Sequence, residues 1–215
     1  MNGESPLEIG MSKRITDYDS LRERIPSLVR ELNDHPASWL DAGCGTGGSV
    51  RLSVELFPDT RFTLSDPSGE NISAVKERFS GSRFVHCCAA TDQLALKDAS
   101  FDVITSILSN HYYGDRAAKL KALSNCHRML SDGGVMVIVE HRRSEDQEKA
   151  DSEWRSYMES RGLPETSIQE MFDRRGTVYF PYTEEDLKAI LGEAGFTDAV
   201  TFWSTCSDIG LVCRK

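Results

Sequence analysis

The 215-residue chain has no uninterrupted apolar run longer than the five residues 135–139, far short of the roughly 20 that a membrane-spanning helix needs. Residues 1–9 are polar and include Glu4 and Glu8, without the basic start and apolar centre of a secretory signal, so a soluble cytoplasmic protein is expected. Basic charge is scarce: 25 Lys and Arg against 34 Asp and Glu leave a net charge of −9. A field of that sign opposes a long nucleic-acid ligand, although it leaves room for a local basic pocket. The six cysteines, Cys44, Cys87, Cys88, Cys126, Cys206 and Cys213, form no C-x-x-C pair, and no nearby pair of histidines completes a zinc signature. Reduced thiols and no metal site are expected. Internal repeats, low-complexity tracts and Pro/Gly/Ser-rich linkers are absent too, so residues 1–215 are expected to form one domain. What is present, 39% hydrophobic and 27% charged residues, describes a globular chain long enough to bury a core.

Leu21, Ile25, Leu28, Val29 and Leu32 recur at helical spacing within an N-terminal helical segment, residues 1–35, with a disturbance expected at Pro26. Strands are then expected at residues 38–41, 61–65, 83–86, 101–106 and 135–140. Helices alternate with them. One spans about residues 48–56, a second presents Ile72, Val75 and Phe79, and a third, within 115–130, presents Leu120, Leu123, His127 and Leu130 and ends at Gly133-Gly134. Such alternation predicts an α/β fold, a mostly parallel sheet covered by helices on both faces. Residues 141–182 break the rhythm and read as a two-helix insert on the substrate side, with Trp154, Tyr157 and Met158 on one helix and Ile168, Met171 and Phe172 on the other. Thr183 with Asp186 resembles a capping box that opens a helix bearing Leu187, Ile190, Leu191 and Ala194 and stopped by Gly195. Late strands near 199–204 and 209–213 lie too close for a crossover helix and are expected to be antiparallel.

Gly43, Gly45 and Gly48 satisfy G-x-G-x-x-G, which alone suits any nucleotide-like ligand that a backbone must approach closely. Asp41, immediately before the loop, discriminates. A pyrophosphate wants positive or dipolar partners there, whereas the ammonium and sulfonium of S-adenosylmethionine (SAM) suit a carboxylate. Asp66, about 20 residues beyond the loop, stands where a ribose-binding acid belongs in either case.

Leu40-Asp41-Ala42-Gly43-Cys44-Gly45-Thr46-Gly47 resembles the first signature motif of the class I SAM-dependent methyltransferases. Asp66-Pro67-Ser68 is similar to their acidic motif, Phe101-Asp102-Val103-Ile104 followed by His111 to their fourth-strand motif, and His127-Arg128-Met129-Leu130 with Gly133-Gly134 to their junction before strand five. The resemblance spans about residues 16–140 in order. It implies a Rossmann-like seven-stranded sheet whose last strand is antiparallel, with SAM as cofactor. It also implies that Asp41, Gly43, Gly45 and Gly47 line the methionine moiety with Cys44 as a small filler. Asp66 beside Pro67 would hold the ribose, Ala89, Ala90 and Thr91 the adenine, and the backbone near Ser106 would face the ligand. Tyr18 is a candidate to close over the methionine end. The last third, including Gly192-Glu193-Ala194-Gly195-Phe196, is similar to the carboxy-SAM synthase branch of tRNA wobble-uridine modification. That branch carries a cofactor-binding arginine where this chain has Ile190, so ordinary SAM is expected.

Methyl transfer needs alignment, water exclusion and sometimes proton removal, so no signature catalytic residue is required. His111 is the candidate base, with packing against the cofactor or capping of the next helix as the alternative. Tyr112 and Tyr113 are candidates for the acceptor pocket. Glu140 and Arg142, with Arg143, Arg174 and Arg175, are candidates for holding an anionic substrate, against a plain solvated stretch suggested by Glu145, Asp146 and Glu148. Trp154, Tyr157, Tyr179, Phe180 and Tyr182 are candidates for an aromatic lid, against core packing. The expected function is methyl transfer to a small-molecule acceptor. Carboxy-SAM synthase-like chemistry, a SAM-binding partner or regulatory protein, and an NAD-dependent oxidoreductase stand as alternatives, and a homodimer through the N-terminal helix is left open.

Overall fold

The computed structural model describes residues 6–215. Helices α1 (Pro6–Arg14) and α2 (Tyr18–Leu32) precede the sheet. α2 runs unbroken through Pro26, contrary to the expected disturbance. Proline inside a helix costs about 3 kcal/mol. Leu21, Ile25, Leu28 and Val29 are buried along one face of the same helix, at roughly 1.5–3 kcal/mol each, which outweighs it.

The chain then alternates β1 (Ser38–Ala42), α3 (Arg51–Leu56), β2 (Arg61–Ser65), α4 (Gly69–Arg78), β3 (Phe84–Cys87), β4 (Phe101–Ile107), α5 (Arg116–Met129) and β5 (Leu130–His141). The insert supplies α6 (Gln147–Ser160) and α7 (Glu165–Asp173), and α8 (Glu184–Glu193), β6 (Thr197–Ser204) and β7 (Asp208–Arg214) complete the fold. The seven strands lie in the order β3-β2-β1-β4-β5-β7-β6. The first five are parallel, and β7 runs antiparallel to both β5 and β6. Strand order therefore reverses between β1 and β4, and a crevice opens beyond the carboxyl ends of those strands, where open α/β sheets place their ligands.

The period of two along each strand feeds two separate cores. On β5, Val135, Val137 and Val139 join Trp39, Phe62 and the α2 stripe on one face. Met136 and Ile138 join Leu40, Ile104 and residues of α5 and α8 on the other. A third, smaller cluster of Trp154, Met158, Ile168 and Tyr179 holds the insert together. Thr183 caps α8, but only half of the expected capping box forms: the Asp186 N–H donates to Thr183 Oγ1 at 3.1 Å, while Asp186 Oδ2 accepts from that hydroxyl at 2.8 Å rather than from the Thr183 N–H.

Three expectations are corrected. The buried face of α5 is Lys119, Ala122, Leu123, Cys126 and Met129, while Leu120 and His127 are half-exposed. Gly133-Gly134 does not end that helix. Leu130 already adopts an extended backbone and pairs with Phe101, so the glycines fall inside β5. α3 likewise starts only at Arg51, because Gly43, Gly45 and Gly47 all take positive φ and keep the preceding loop out of a helix. No helix among the described residues is long and apolar enough to cross a membrane.

Candidate functional site

A cavity of about 550 Å³ occupies the crevice, floored by the carboxyl ends of β1, β2 and β4 and roofed by residues of α1 and α2. Its central feature is the loop after β1. The Gly43 and Cys44 N–H groups both donate to the Ser65 carbonyl at 2.8 Å, which turns the chain sharply off the sheet. Gly43 has φ +85°, and a Cβ there would stand 2.3 Å from Ser109 Cβ, so only glycine fits. Gly45 differs: a Cβ on it would meet nothing within 4 Å, and Gly45 lines the cavity. Its backbone is bare on the side where a ligand would rest.

Asp66 ends β2 facing that loop. Its Oδ2 accepts from the Gly45 N–H at 2.9 Å, and its Oδ1 accepts from the Ser68 N–H and from Asn71 Nδ2, each at 2.9 Å. The carboxylate is thereby oriented at the cavity wall, with Pro67, Ala90 and Thr91 beside it. Glu8 reaches the cavity from α1, packs over Gly48 and accepts from both terminal nitrogens of Arg78 at 3.2 Å; Arg22 stands 4.0 Å away. Tyr18 is buried in the roof, and its hydroxyl is pushed up to about 12, chiefly by burial. Cys44 is a filler, since burial and the charges of Asp41 and Asp66 push its thiol far up.

Asp41 lies beneath the loop rather than on the wall, 1% exposed. Its Oδ1 accepts from the Thr105 hydroxyl at 2.7 Å, and that hydroxyl accepts from Trp39 Nε1 at 2.9 Å. Its Oδ2 is buried with no partner at hydrogen-bond distance among the described residues. Burial raises the Asp41 carboxyl to about 6; the Thr105 bond opposes this, Asp66 adds to it, and the Ser49 hydroxyl eases it.

The wall on the β4 side comes from Ile107, Leu108, Ser109, Tyr112 and Tyr113. Leu108 holds φ +54°, a region costing a non-glycine residue about 1 kcal/mol or more, and its N–H is anchored on the Val139 carbonyl at 2.7 Å. Ser106 lies behind this wall, sharing a 2.7 Å hydrogen bond with Ser109 Oγ, which also bonds the Ala42 carbonyl. Tyr113 donates to Asp92 Oδ1 at 3.1 Å, while Tyr112 is 54% exposed at the rim.

The structure thus brings Tyr18, Gly43, Cys44, Gly45, Asp66, Pro67, Ala90, Tyr112 and Tyr113 to the cavity. Four other cofactor candidates stand off it. Asp41 and Ser106 lie one layer below. Gly47 packs the loop on α4, where a Cβ would come within 2.5 Å of the Phe79 ring, and Ala89 packs on the opposite core. His111 is also placed away, buried between Tyr112 and His141 with ring centroids at 4.3 and 4.5 Å. Burial first, then the nearby His141, Lys119 and Arg174, hold its pKa well below the usual value, so it is neutral. Its Nδ1 has no partner among the described residues.

The anionic-substrate and lid candidates lie off the cavity. Glu140 is bonded to Lys119, and both side chains are enclosed. Arg142 borders a small crevice under the insert, where Arg175 pairs with Asp151 at 2.7 and 2.8 Å. Trp154 Nε1 donates to the Arg14 carbonyl at 2.6 Å, and the Tyr157 hydroxyl donates to the Ser12 carbonyl at 2.7 Å. Tyr179 donates to the Met171 carbonyl at 2.9 Å. The insert therefore clasps α1 instead of forming the cavity wall. Ile190 is fully enclosed with Leu187 and Leu191, away from the cavity, so nothing there could hold an additional carboxylate of a ligand.

Sequence reasoning missed Glu8, Met11, Ser49, Asn71 and Leu108 as cavity residues. Only Asn71 had a local signal, at the third position after the N-cap Ser68. Glu8 meets Arg78 across 70 residues, and no spacing announces that. Chemically, the site offers a bare backbone at Gly45, an oriented carboxylate at Asp66, a second carboxylate at Glu8 and no lysine or arginine among the described lining residues. It fits a nucleoside with a cationic tail and lacks the positive partners a pyrophosphate requires. Among the described residues no group of three His, Cys, Asp or Glu could hold a metal.

Comparison with known proteins agrees. Residues 40–138 match the family model described as a methyltransferase domain. A malonyl-[acyl-carrier protein] O-methyltransferase of Acetivibrio thermocellus is 28% identical over 139 residues, covering 61% of this chain and 48% of that protein. A 2-methyl-6-phytyl-1,4-hydroquinone methyltransferase of Synechocystis sp. is 29% identical over 113 residues, covering 51% of this chain and 33% of that protein. The chain spans half the length, or less, of these relatives. The crystal structure of human N-acetylserotonin methyltransferase in complex with SAM matches with a TM-score of 0.65 and 16% identity, covering 97% of this chain and 53% of that one. At that identity the likeness concerns the fold.

Proposed function

We propose that this chain, whose residues 40–138 match a methyltransferase domain, is a class I SAM-dependent methyltransferase and transfers the methyl group of SAM to a small-molecule acceptor. The observation that carries the reading is the pairing of Gly45 with Asp66 across a cavity lined by two carboxylates and, among the described residues, by no cation. When bound, SAM supplies a methyl group already activated by its sulfonium.

The chain's own part is to bind, align and dehydrate. Asp66, fixed by Ser68 and Asn71, presents oxygens suited to both ribose hydroxyls. Ala90 and Thr91, with Ala89 behind them, form the adenine side, and Pro67 borders the ribose. The glycine loop lets the backbone approach the methionine part, Tyr18 covers it, and Asp41 lies beneath with its charge unneutralised. Tyr112, Tyr113 and the strained Leu108 form the side from which an acceptor approaches, and α1 excludes water from above. The insert, residues 141–182, acts on this side at one remove, through its hold on α1. Alignment rather than a dedicated base is the main catalytic contribution in this reading, because His111 lies behind the wall.

Thermal unfolding with SAM, S-adenosylhomocysteine and NAD tests the cofactor. At 100 times the dissociation constant a ligand adds about 2.7 kcal/mol, or roughly 5–10 °C for a chain of this size. SAM and S-adenosylhomocysteine should produce that shift and NAD should not. A shift with NAD and none with SAM overturns the reading. Transfer of labelled methyl across a small-molecule panel then tests turnover.

A further inference from the structure

With the nucleoside and methionine positions proposed above, the wall left for an acceptor is Met11, Ile107, Leu108, Ser109, Tyr112 and Tyr113. It is apolar and aromatic, and its polar atoms are neutral hydroxyls. Among the described residues lining the whole cavity there is no lysine, arginine or histidine, while Glu8 and Asp66 add two carboxylates.

Several nearby cations are held by other groups, and Arg142 and Arg174 do not line the cavity. Arg78 is bidentate on Glu8, Lys119 is bonded to Glu140, and Lys121 stands 3.0 Å from Asp92. On the insert side, Arg175 is bidentate on Asp151, and Arg143 lies 3.6 Å from Asp186. A carboxylate or phosphate entering this space would lose its hydration without gaining a charged partner on the wall, and would face the Asp66 carboxylate with Asp41 beneath the loop. The methionine end of SAM does not meet that obstacle. Its carboxylate travels with an ammonium and a sulfonium, so the ligand enters net positive.

We infer that the acceptor carries no negative charge near its reacting atom and lays a flat apolar body against Tyr112 and Tyr113: an uncharged or cationic aromatic small molecule. A cationic amine on such a molecule gains from the Asp66 and Asp41 carboxylates and from the tyrosine faces. The inference rests on the methyltransferase reading and adds the acceptor's charge class to it.

The test uses the full chain saturated with S-adenosylhomocysteine and three phenols of similar size: tyramine (cationic), tyrosol (uncharged) and 4-hydroxyphenylacetate (anionic). Dissociation constants are read by ligand-observed NMR. Tyramine and tyrosol should bind, with 4-hydroxyphenylacetate about tenfold or more weaker, as expected for an unpaired desolvated charge. Tyr112→Arg, at an exposed rim position, should bring the anion to within about threefold of tyrosol by supplying the missing partner. Equal or tighter binding of the anion to the unmodified protein overturns the inference, and so does failure of all three phenols to bind. Failure of S-adenosylhomocysteine itself to bind, measured first, defeats the methyltransferase reading instead and takes the inference with it.

Discussion

Replacing Lys119 by Met removes one charge from the most enclosed ion pair of the fold and leaves its length in place. Lys119 and Glu140 have side chains 0% and 1% exposed. Lys119 Nζ also sits 4.9 Å from the centre of the Tyr182 ring, and Glu140 Oε1 already lacks a partner among the described residues. Breaking a buried pair from one side costs about 3–5 kcal/mol, because the remaining charge stays unpaired. At roughly 2–4 °C per kcal/mol for a chain of this size, Lys119→Met should lower Tm by about 6–20 °C at neutral pH. Arg51→Met, which breaks an exposed pair with Glu55, should cost about 1 kcal/mol or less.

The deficit should depend on pH with a definite sign. Burial already raises the Glu140 carboxyl against the opposing pull of Lys119 and His141, and losing Lys119 raises it further. Above the ordinary carboxylate pKa the folded variant then holds a proton that the unfolded chain has released, so its stability falls as pH rises. Below that range Glu140 is neutral in both states and most of the penalty disappears. Lys119→Met/Glu140→Leu should recover much of the loss, since apolar replacement of a buried pair is often neutral. Urea and thermal unfolding followed by circular dichroism across pH measure all of this. A neutral-pH loss below about 1 kcal/mol, or a deficit that does not change with pH, would refute the reasoning.

Gly43→Ala should destabilise the fold by more than about 1 kcal/mol and abolish cofactor binding, because its Cβ would collide with Ser109 at positive φ. Gly45→Ala meets no such clash, so it should fold with a smaller penalty yet bind S-adenosylhomocysteine at least about tenfold more weakly; calorimetry on both variants separates the two roles. With the Asp41 carboxyl at about 6, SAM affinity should fall as pH drops below that value, by up to tenfold per unit for one proton, and Asp41→Asn should flatten the profile. The raised carboxyl also means that the ligand-free fold loses stability from this group as pH rises from about 4 to about 6. Trp154→Phe and Tyr157→Phe should each cost about 1 kcal/mol and speed amide exchange across α1, as hydrogen-exchange mass spectrometry would detect. Unchanged exchange in α1 would argue against the clasp.

Local chemistry made much of the site legible. The glycine loop, Asp66 and the aromatic pair after β4 announce themselves because their requirements are local: positive φ, close backbone approach, or the end of a strand. The unbroken apolar run 135–139 announced a buried strand, but its division between two cores shows only in the fold, where alternate β5 residues face opposite sides. Patterning misjudged α5, where Lys119 is the best-buried cation of the fold. No propensity marks a lysine for burial until Glu140 is seen opposite it. The same limit hid Glu8, whose partner Arg78 lies 70 residues away.

By itself, then, the sequence determined the strand–helix alternation, the sharp turn after β1 and the acid that ends β2, because each follows from backbone sterics and side-chain periodicity within a few residues. Only the tertiary structure decided which of the charged and aromatic candidates reach the cavity. It withdrew Glu140, Trp154, Tyr157 and Tyr179 into partnerships of their own, set Arg142 away from the cavity, buried His111 behind the wall and brought Glu8 and Met11 over the ligand space. Those outcomes depend on which distant side chain satisfies each buried polar group, and no local pattern encodes that pairing.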